Sequence, residues 1–237
     1  MAEMDIFIDK PIGNELGEIN VADIKRQLAK ANGQPITVRI HCEGGSVFEG
    51  LAMFDAFKAY AGPKKCIVES AAFSMASLVA MAFPERQITA NGYLMIHRPY
   101  LDSGETPPVM ENLRNRLVSI YAEVTRRPRH AIEAMMNAET FLDAGESVRN
   151  NFATGIVASG AKAVALFQSM VKRHDSFRKC IVAKLQSQQG RTAQAKWKQA
   201  VTESMLTGLD RTKAVANVDR EFPGLRARMI AEANGRA

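Results

Sequence analysis

No apolar run in this sequence approaches the ~20 residues needed to cross a bilayer. The first residues, Met1-Ala2-Glu3-Met4-Asp5, are acidic where a secretory signal would be basic and then apolar. Cysteine is scarce: Cys42, Cys66 and Cys180 are the only three, too far apart for a disulfide framework or a tetrahedral metal site. Two of them fall in strand-like runs, so reduced, buried thiols in a cytoplasmic protein are expected. No metal and no cofactor are expected. Internal repeats and low-complexity tracts are also lacking, which excludes solenoids and fibrous arrays.

What is present is the composition of a globular protein, with 46% hydrophobic and 24% charged residues in a chain of 237. That length allows one large domain, or one domain with an appendage. The net charge of +6 is unevenly placed. Residues 1–165 hold 17 Lys+Arg against 19 Asp+Glu, whereas residues 166–237 hold 14 against 6. The positive charge therefore belongs to the C-terminal third, and electrostatic arguments about partners start there.

Asp5-Ile6-Phe7-Ile8-Asp9 alternates as a short strand, ended by Pro11 and Gly13. Asn20 to Ala31 reads as an amphipathic helix with Asn20 and Asp23 in capping positions. Ile36 to Cys42 is a second strand, leading into Glu43-Gly44-Gly45-Ser46 and a helix carrying Leu51, Met53, Phe54 and Phe57. The Cys66–Val68 strand then gives way to small residues, with Glu69 and Ser70 read as turn and wall residues, and to a helix whose first turn carries Ser74. Strands are expected over 87–89 and 93–96, the second ending in His97-Arg98-Pro99, with a polar loop over 101–108. A helix over 109–124 stops before Pro128, and a shorter one runs to Met136. Glu139 to Ala144 is a brief extended segment before a helix, and Phe152 to Val157 closes with a Gly155 turn and a last strand. This βαβ rhythm predicts a mainly parallel sheet flanked by helices. Beyond Leu166 every stretch reads helical, with a new N-cap near Asp210.

Three of these elements carry groups that chemistry could combine: Ser74 at a strand-to-helix turn, His97 at a strand end, and Glu139 at another short strand. Acyl transfer needs a hydroxyl activated by a neutral imidazole, a carboxylate that fixes its tautomer, and two N–H donors for the oxyanion. The Gly44-Gly45 turn could supply an N–H opposite Ser74. Of the other histidines, His41 reads as a packed strand residue, and His130 and His174, among arginines, as solvated.

Gly44-Gly45-Ser46-Val47, Ala71-Ala72-Phe73-Ser74-Met75-Ala76 and Met95-Ile96-His97-Arg98-Pro99 resemble, in order, three signature stretches of the Clp protease proteolytic subunit family (ClpP). The resemblance covers roughly residues 4–165 and implies a ClpP/crotonase-like ββα superhelix, an α/β fold, with an all-helical C-terminal extension over 166–237. It implies a self-compartmentalised serine endopeptidase, with Ser74 as nucleophile, His97 as base and the Gly45 and Met75 N–H groups as oxyanion hole. The third member is usually aspartate, where this chain has Glu139, with Asp143 as the fallback. Cys42-Glu43 replace the Ser-Pro usual before the glycines, which predicts a less rigid turn. The segment between His97 and Glu139 is shorter than in housekeeping members, which bears on whether one ring or two would form.

The stretch Gly208-Leu209-Asp210-Arg211-Thr212-Lys213-Ala214, with Phe222-Pro223-Gly224-Leu225, resembles C-terminal segments of phage and prophage ClpP-like proteins associated with head maturation. The expected partners are a homo-oligomeric ring, heptameric by resemblance, and a protein substrate such as a capsid or scaffold precursor. Nucleic acid is not expected, because only Phe177 and Trp197 accompany the basic residues of 176–198 for base stacking. Three alternatives are a housekeeping subunit working with an ATPase, a crotonase-fold acyl-CoA hydratase or isomerase, and a catalytically silent shell protein.

Overall fold

A computed structural model of the chain describes residues 3–100, 107–158, 179, 200–201, 204–205, 210–221 and 224. The chain divides into two compact units, Met1–Phe167 and Gln168–Ala237. In the first, β1 (Met4–Ile8), α1 (Val21–Ala31), β2 (Ile36–Cys42), α2 (Val47–Ala59), β3 (Lys64–Phe73), α3 (Met75–Ala80) and β4 (Glu85–Thr89) come first. Then come β5 (Tyr93–Ile96), α4 (Pro108–Thr125), α5 (Arg129–Asn137), β6 (Thr140–Asp143), α6 (Ala144–Arg149) and β7 (Gly155–Val157).

The strands form one sheet in the order β1-β2-β3-β4-β7, with β5 pairing both β3 and β6. Every pairing is parallel except β5–β6. Parallel strands are buried on both faces, and Ile36–Cys42 is so although Thr37, Arg39 and His41 alternate with its apolar residues: all but Arg39 are buried. Met53 and Phe57 of α2 and Leu78 and Val79 of α3 join Ile6, Ile8, Val38, Ile40 and Val68 in one core. Phe57 and Phe83 meet there with ring centroids 4.9 Å apart. Asn20 and Asp23 form the expected capping box at the start of α1.

The long strand β3 is what positions the site. Its first half, Lys65–Val68, pairs with β4, and its second half, Ala71–Phe73, pairs with β5. Between them the register against β2 jumps: Ile40 faces Val68 but Cys42 faces Ala72. Glu69 to Ala71 stand opposite His41 alone, two residues more than a regular ladder has, so Glu69 and Ser70 are strand residues at an irregularity rather than turn residues. Such irregularities bend a strand and re-aim the side chains beyond the bend. Glu69 is an ion-pair partner of Arg39 across the sheet, at 3.1 Å. Gly155, expected as a turn, instead begins β7.

In the second unit, α7 (Arg211–Glu221) starts where Asp210 accepts the Lys213 N–H on its carboxylate at 3.0 Å. Val201, Ala214 and Val218 form a small cluster of their own. The expectations for His174, Cys180 and Trp197, and the 101–106 loop, lie outside the described residues.

Arg86 is a buried cation, 8% exposed. Its guanidinium donates to the carbonyls of Phe83, Pro84, Asn151 and Phe152 at 2.6 to 3.3 Å, joining the loop after α3 to the turn before β7. Arg86→Met keeps bulk but leaves those carbonyls without their donors. It is expected to lower the unfolding free energy by about 3 kcal/mol. Urea unfolding monitored by circular dichroism measures this. A loss under about 1 kcal/mol would mean that water replaces the guanidinium.

Candidate active site

β3 ends at Phe73 and α3 begins at Met75, so Ser74 alone makes the turn between them. Its backbone sits at φ 52° and ψ −125°, a region that side chains avoid and that the sharp strand-to-helix turns of nucleophilic serines adopt. An N-cap serine ordinarily turns its hydroxyl back onto the helix, but Ser74 makes no such cap. Its Oγ lies 2.8 Å from His97 Nε2 instead. A hydroxyl donating to Nε2 leaves the ring proton on Nδ1, the nitrogen a carboxylate would hold. Both residues are half-buried, so the pair is shielded from bulk water on one side and reachable from the other.

The elbow and the strand that carries the histidine are tied together. The Ser74 N–H donates to Met95 O at 2.9 Å, two residues before His97. Phe73 and Phe141 stack edge to face at 5.4 Å, fixing β6 against the same corner. Tyr100, largely exposed, lies edge-on to the His97 ring with centroids 5.4 Å apart.

The Gly44-Gly45 turn comes up beside the elbow. A Cβ on Gly44 (φ 101°) would fall 2.8 Å from Ser74 Cβ and 2.7 Å from Phe73 O, so only glycine permits this approach. Ile12 bridges the turn: its N–H donates to Gly44 O at 2.7 Å and its carbonyl accepts the Ser46 N–H at 2.8 Å. In a parallel bridge of this kind the middle residue's own N–H faces the other way, and Gly45 is exposed. Met75 is the first residue of α3, where a helix leaves its N–H groups unused. Among the hydrogen bonds of the described residues, neither the Gly45 nor the Met75 N–H has an acceptor. The Met75 donor sits at the positive end of a short helix, next in the chain to Ser74.

Cys42 braces this turn, contrary to the looser turn expected from the loss of Ser-Pro. Its thiol donates to Lys10 O at 3.0 Å and its sulfur accepts the Gly44 N–H at 3.3 Å. Burial pushes the Cys42 and Cys66 thiols up to about 12. Both are therefore protonated at neutral pH and neither competes as a nucleophile.

Glu139 lies at the corner before β6, with φ 46°, one step beyond the Ile96–Thr140 pair of the β5–β6 ladder. That is the chain position opposite His97. The residue is exposed, and among the described residues its carboxylate makes no hydrogen bond or ion pair. The structure thus brings Ser74 and His97 into contact, sets the Gly44 end of the glycine turn against Ser74, and puts Glu139 at the chain position opposite His97. Asp143 is occupied elsewhere. It pairs with Tyr93 at the far end of the ladder and accepts the Glu146 N–H at 2.7 Å as the N-cap of α6. His41 is buried in β2 and His130 is exposed, as the sequence suggests.

Among the described residues no group of His, Cys, Asp and Glu could hold a metal ion, and no helix is long and apolar enough to cross a membrane. Two surface cavities of about 360 and 240 Å³ lie elsewhere, sharing Lys58 and Val124.

Comparison with known proteins agrees with this geometry. Solved structures of ClpP1 from Listeria monocytogenes (TM-score 0.58, 21% identity) and of the ClpP catalytic domain from Plasmodium falciparum (TM-score 0.57, 21% identity) share the fold. The first aligns over 67% of this chain and 94% of its own, the second over 65% and 85%. The ATP-dependent Clp protease proteolytic subunit 1 of Chlamydia caviae is 30% identical, covering 65% of this chain and 86% of that subunit. The proteolytic subunit of Deinococcus radiodurans is 28% identical over 61% and 75%. The Clp protease family model matches residues 1–160, and the chain belongs to that family of serine peptidases.

Proposed function

We propose that this chain is an endopeptidase that works through an acyl-enzyme on Ser74. The observation that carries the reading is the 2.8 Å contact between Ser74 Oγ and His97 Nε2 at a strained elbow flanked by two unused N–H groups. The Ser74 oxygen attacks the scissile carbonyl carbon while its proton passes to His97 Nε2. The carbonyl oxygen becomes an oxyanion, held by the Gly45 and Met75 N–H groups. The tetrahedral adduct collapses, the C–N bond breaks, and the imidazolium gives its proton to the leaving amine. Water, deprotonated by the same imidazole, then releases the acid and restores the serine. Glu139 supports the imidazolium by turning its carboxylate toward Nδ1, which its longer side chain and corner position permit. A crotonase-fold acyl-CoA enzyme would have no use for the hydroxyl–imidazole pair.

The protein substrate is a capsid or scaffold precursor during phage head maturation, and the site works inside a homo-oligomeric ring in the cytoplasm. Two features support this: the resemblance of residues 208–225 to the tails of phage and prophage members, and the surplus of positive charge over 166–237. Ser74 and His97 are partly exposed on a single subunit, and a ring would enclose them. The short segment between Arg98 and Ala138 favours a single ring. A second reading, a subunit that degrades unfolded protein with an ATPase, is favoured by the names of the bacterial relatives.

Ser74→Ala is expected to reduce peptide hydrolysis by about 10⁶-fold with unchanged circular dichroism. Near wild-type turnover would remove Ser74 from the mechanism. Glu139→Gln should lower kcat, by at most about 10⁴-fold. Asp143→Asn should leave kcat in place and cost little stability, because the Asn Oδ1 still accepts the Glu146 N–H as an N-cap. The reverse pattern in steady-state kinetics would make Asp143 the orienting carboxylate.

Sedimentation of the full chain should give a ring, and an active monomer would contradict the enclosed site. Removing residues 167–237 should spare a small peptide but slow cleavage of the assembled precursor, most clearly at low salt, where screening is weak. Equal processing of both substrates would rule out a docking role. Cleavage of unfolded protein that begins only with an ATPase would favour the second reading.

A further inference from the structure

Behind the elbow, on the side away from the cleft, two hydroxyls that the reaction does not consume meet in the core. Ser77 is fully buried and Tyr121, from the middle of α4, is 3% exposed. Ser77 Oγ lies 2.7 Å from Ser74 O, 3.0 Å from Met95 O and 2.8 Å from Tyr121 Oη. Tyr121 Oη is in turn 3.5 Å from Ser74 O. The carbonyls can only accept, so proton bookkeeping orders the cluster: the Tyr121 O–H donates to Ser77 Oγ, and the Ser77 O–H is shared between the two carbonyls. Burial raises the Tyr121 pKa, which keeps it a donor at any working pH.

The two carbonyls belong to the two chain segments that must be aligned. Ser74 O is the carbonyl of the residue in the strained conformation, and Met95 O belongs to the strand that delivers His97 two residues later. A residue at φ 52° and ψ −125° persists only where its surroundings over-determine it. The backbone contributes the Ser74 N–H to Met95 O bond, and the Ser77 hydroxyl adds a second tie between the same segments. Tyr121 anchors that tie to α4. We propose that Ser77 and Tyr121 are positioning residues that hold the Ser74 elbow against β5, setting the Ser74–His97 distance without touching substrate. The proposal rests on Ser74 and His97 being the reacting pair.

The test uses the full-length wild-type chain, Ser77→Ala, Tyr121→Phe and the double variant. Tyr121→Phe removes one oxygen from a packed ring and keeps the fold. The measurements are kcat and KM on a small chromogenic peptide, the second-order rate of Ser74 labelling by a fluorophosphonate, and thermal unfolding of each protein. Each single variant should lose about 10- to 100-fold in kcat, the scale set by misplacing reacting groups by a fraction of an ångström to about 1 Å. KM should stay within about 2-fold, since ground-state binding is not touched. Labelling should slow in parallel with kcat, and the double variant should be little worse than either single one, because the hydroxyls act as a unit. Variants that melt earlier yet keep wild-type kcat and labelling rate would reduce the pair to core packing and overturn the proposal. Wild-type protein that neither cleaves nor labels would fail the proposed function instead, and the positioning roles with it.

Discussion

The left-handed backbone at Ser74 is the constraint on which the site depends. A serine held at φ 52° and ψ −125° does not cap the helix it precedes, so its hydroxyl is left to meet His97 Nε2 at 2.8 Å. Such a conformation costs on the order of 1–3 kcal/mol, and the surrounding structure offsets it. The backbone bond to Met95, the buried Ser77 hydroxyl and the edge-to-face contact of Phe73 with Phe141 each join the elbow to β5 or β6. The strain and the alignment of nucleophile with base are therefore parts of one arrangement.

The sheet supplies the geometry in which this can happen. β3 serves two neighbours in succession, β4 and then β5, and the irregularity at Glu69–Ala71 lets it change partners without ending. The Gly44-Gly45 turn is fixed by a different set of contacts: the bridge through Ile12 and the Cys42 thiol hold it from behind. Ser74, His97 and the glycine turn thus rest on separate elements that share one strand, and a rigid sheet is what makes their spacing reproducible.

The carboxylate differs in kind. Aspartate at the corner before β6 would have little choice of direction, whereas Glu139 has one more rotatable bond and lies exposed at a left-handed position.

Much of the fold was legible from the sequence, because local patterns and tertiary structure agree. The β-branched, alternating run Ile36–Cys42, the Asn20–Asp23 capping box and the proline stop at Pro128 each have one local solution, and the structure adopts it. The three signature stretches, in their order, singled out Ser74, His97 and the glycine turn. Local pattern did not reveal that Glu69 and Ser70 are strand residues, since a β irregularity depends on which strand lies opposite. Nor did it reveal that Asp143 is bound to its own helix, that Cys42 stiffens the turn it was expected to loosen, or that Ser77 and Tyr121, 44 residues apart, share a hydrogen bond. Those facts belong to pairs of residues that only the folded chain brings together. The sequence determined which groups were available; the packing of β3 between β4 and β5 decided which of them meet.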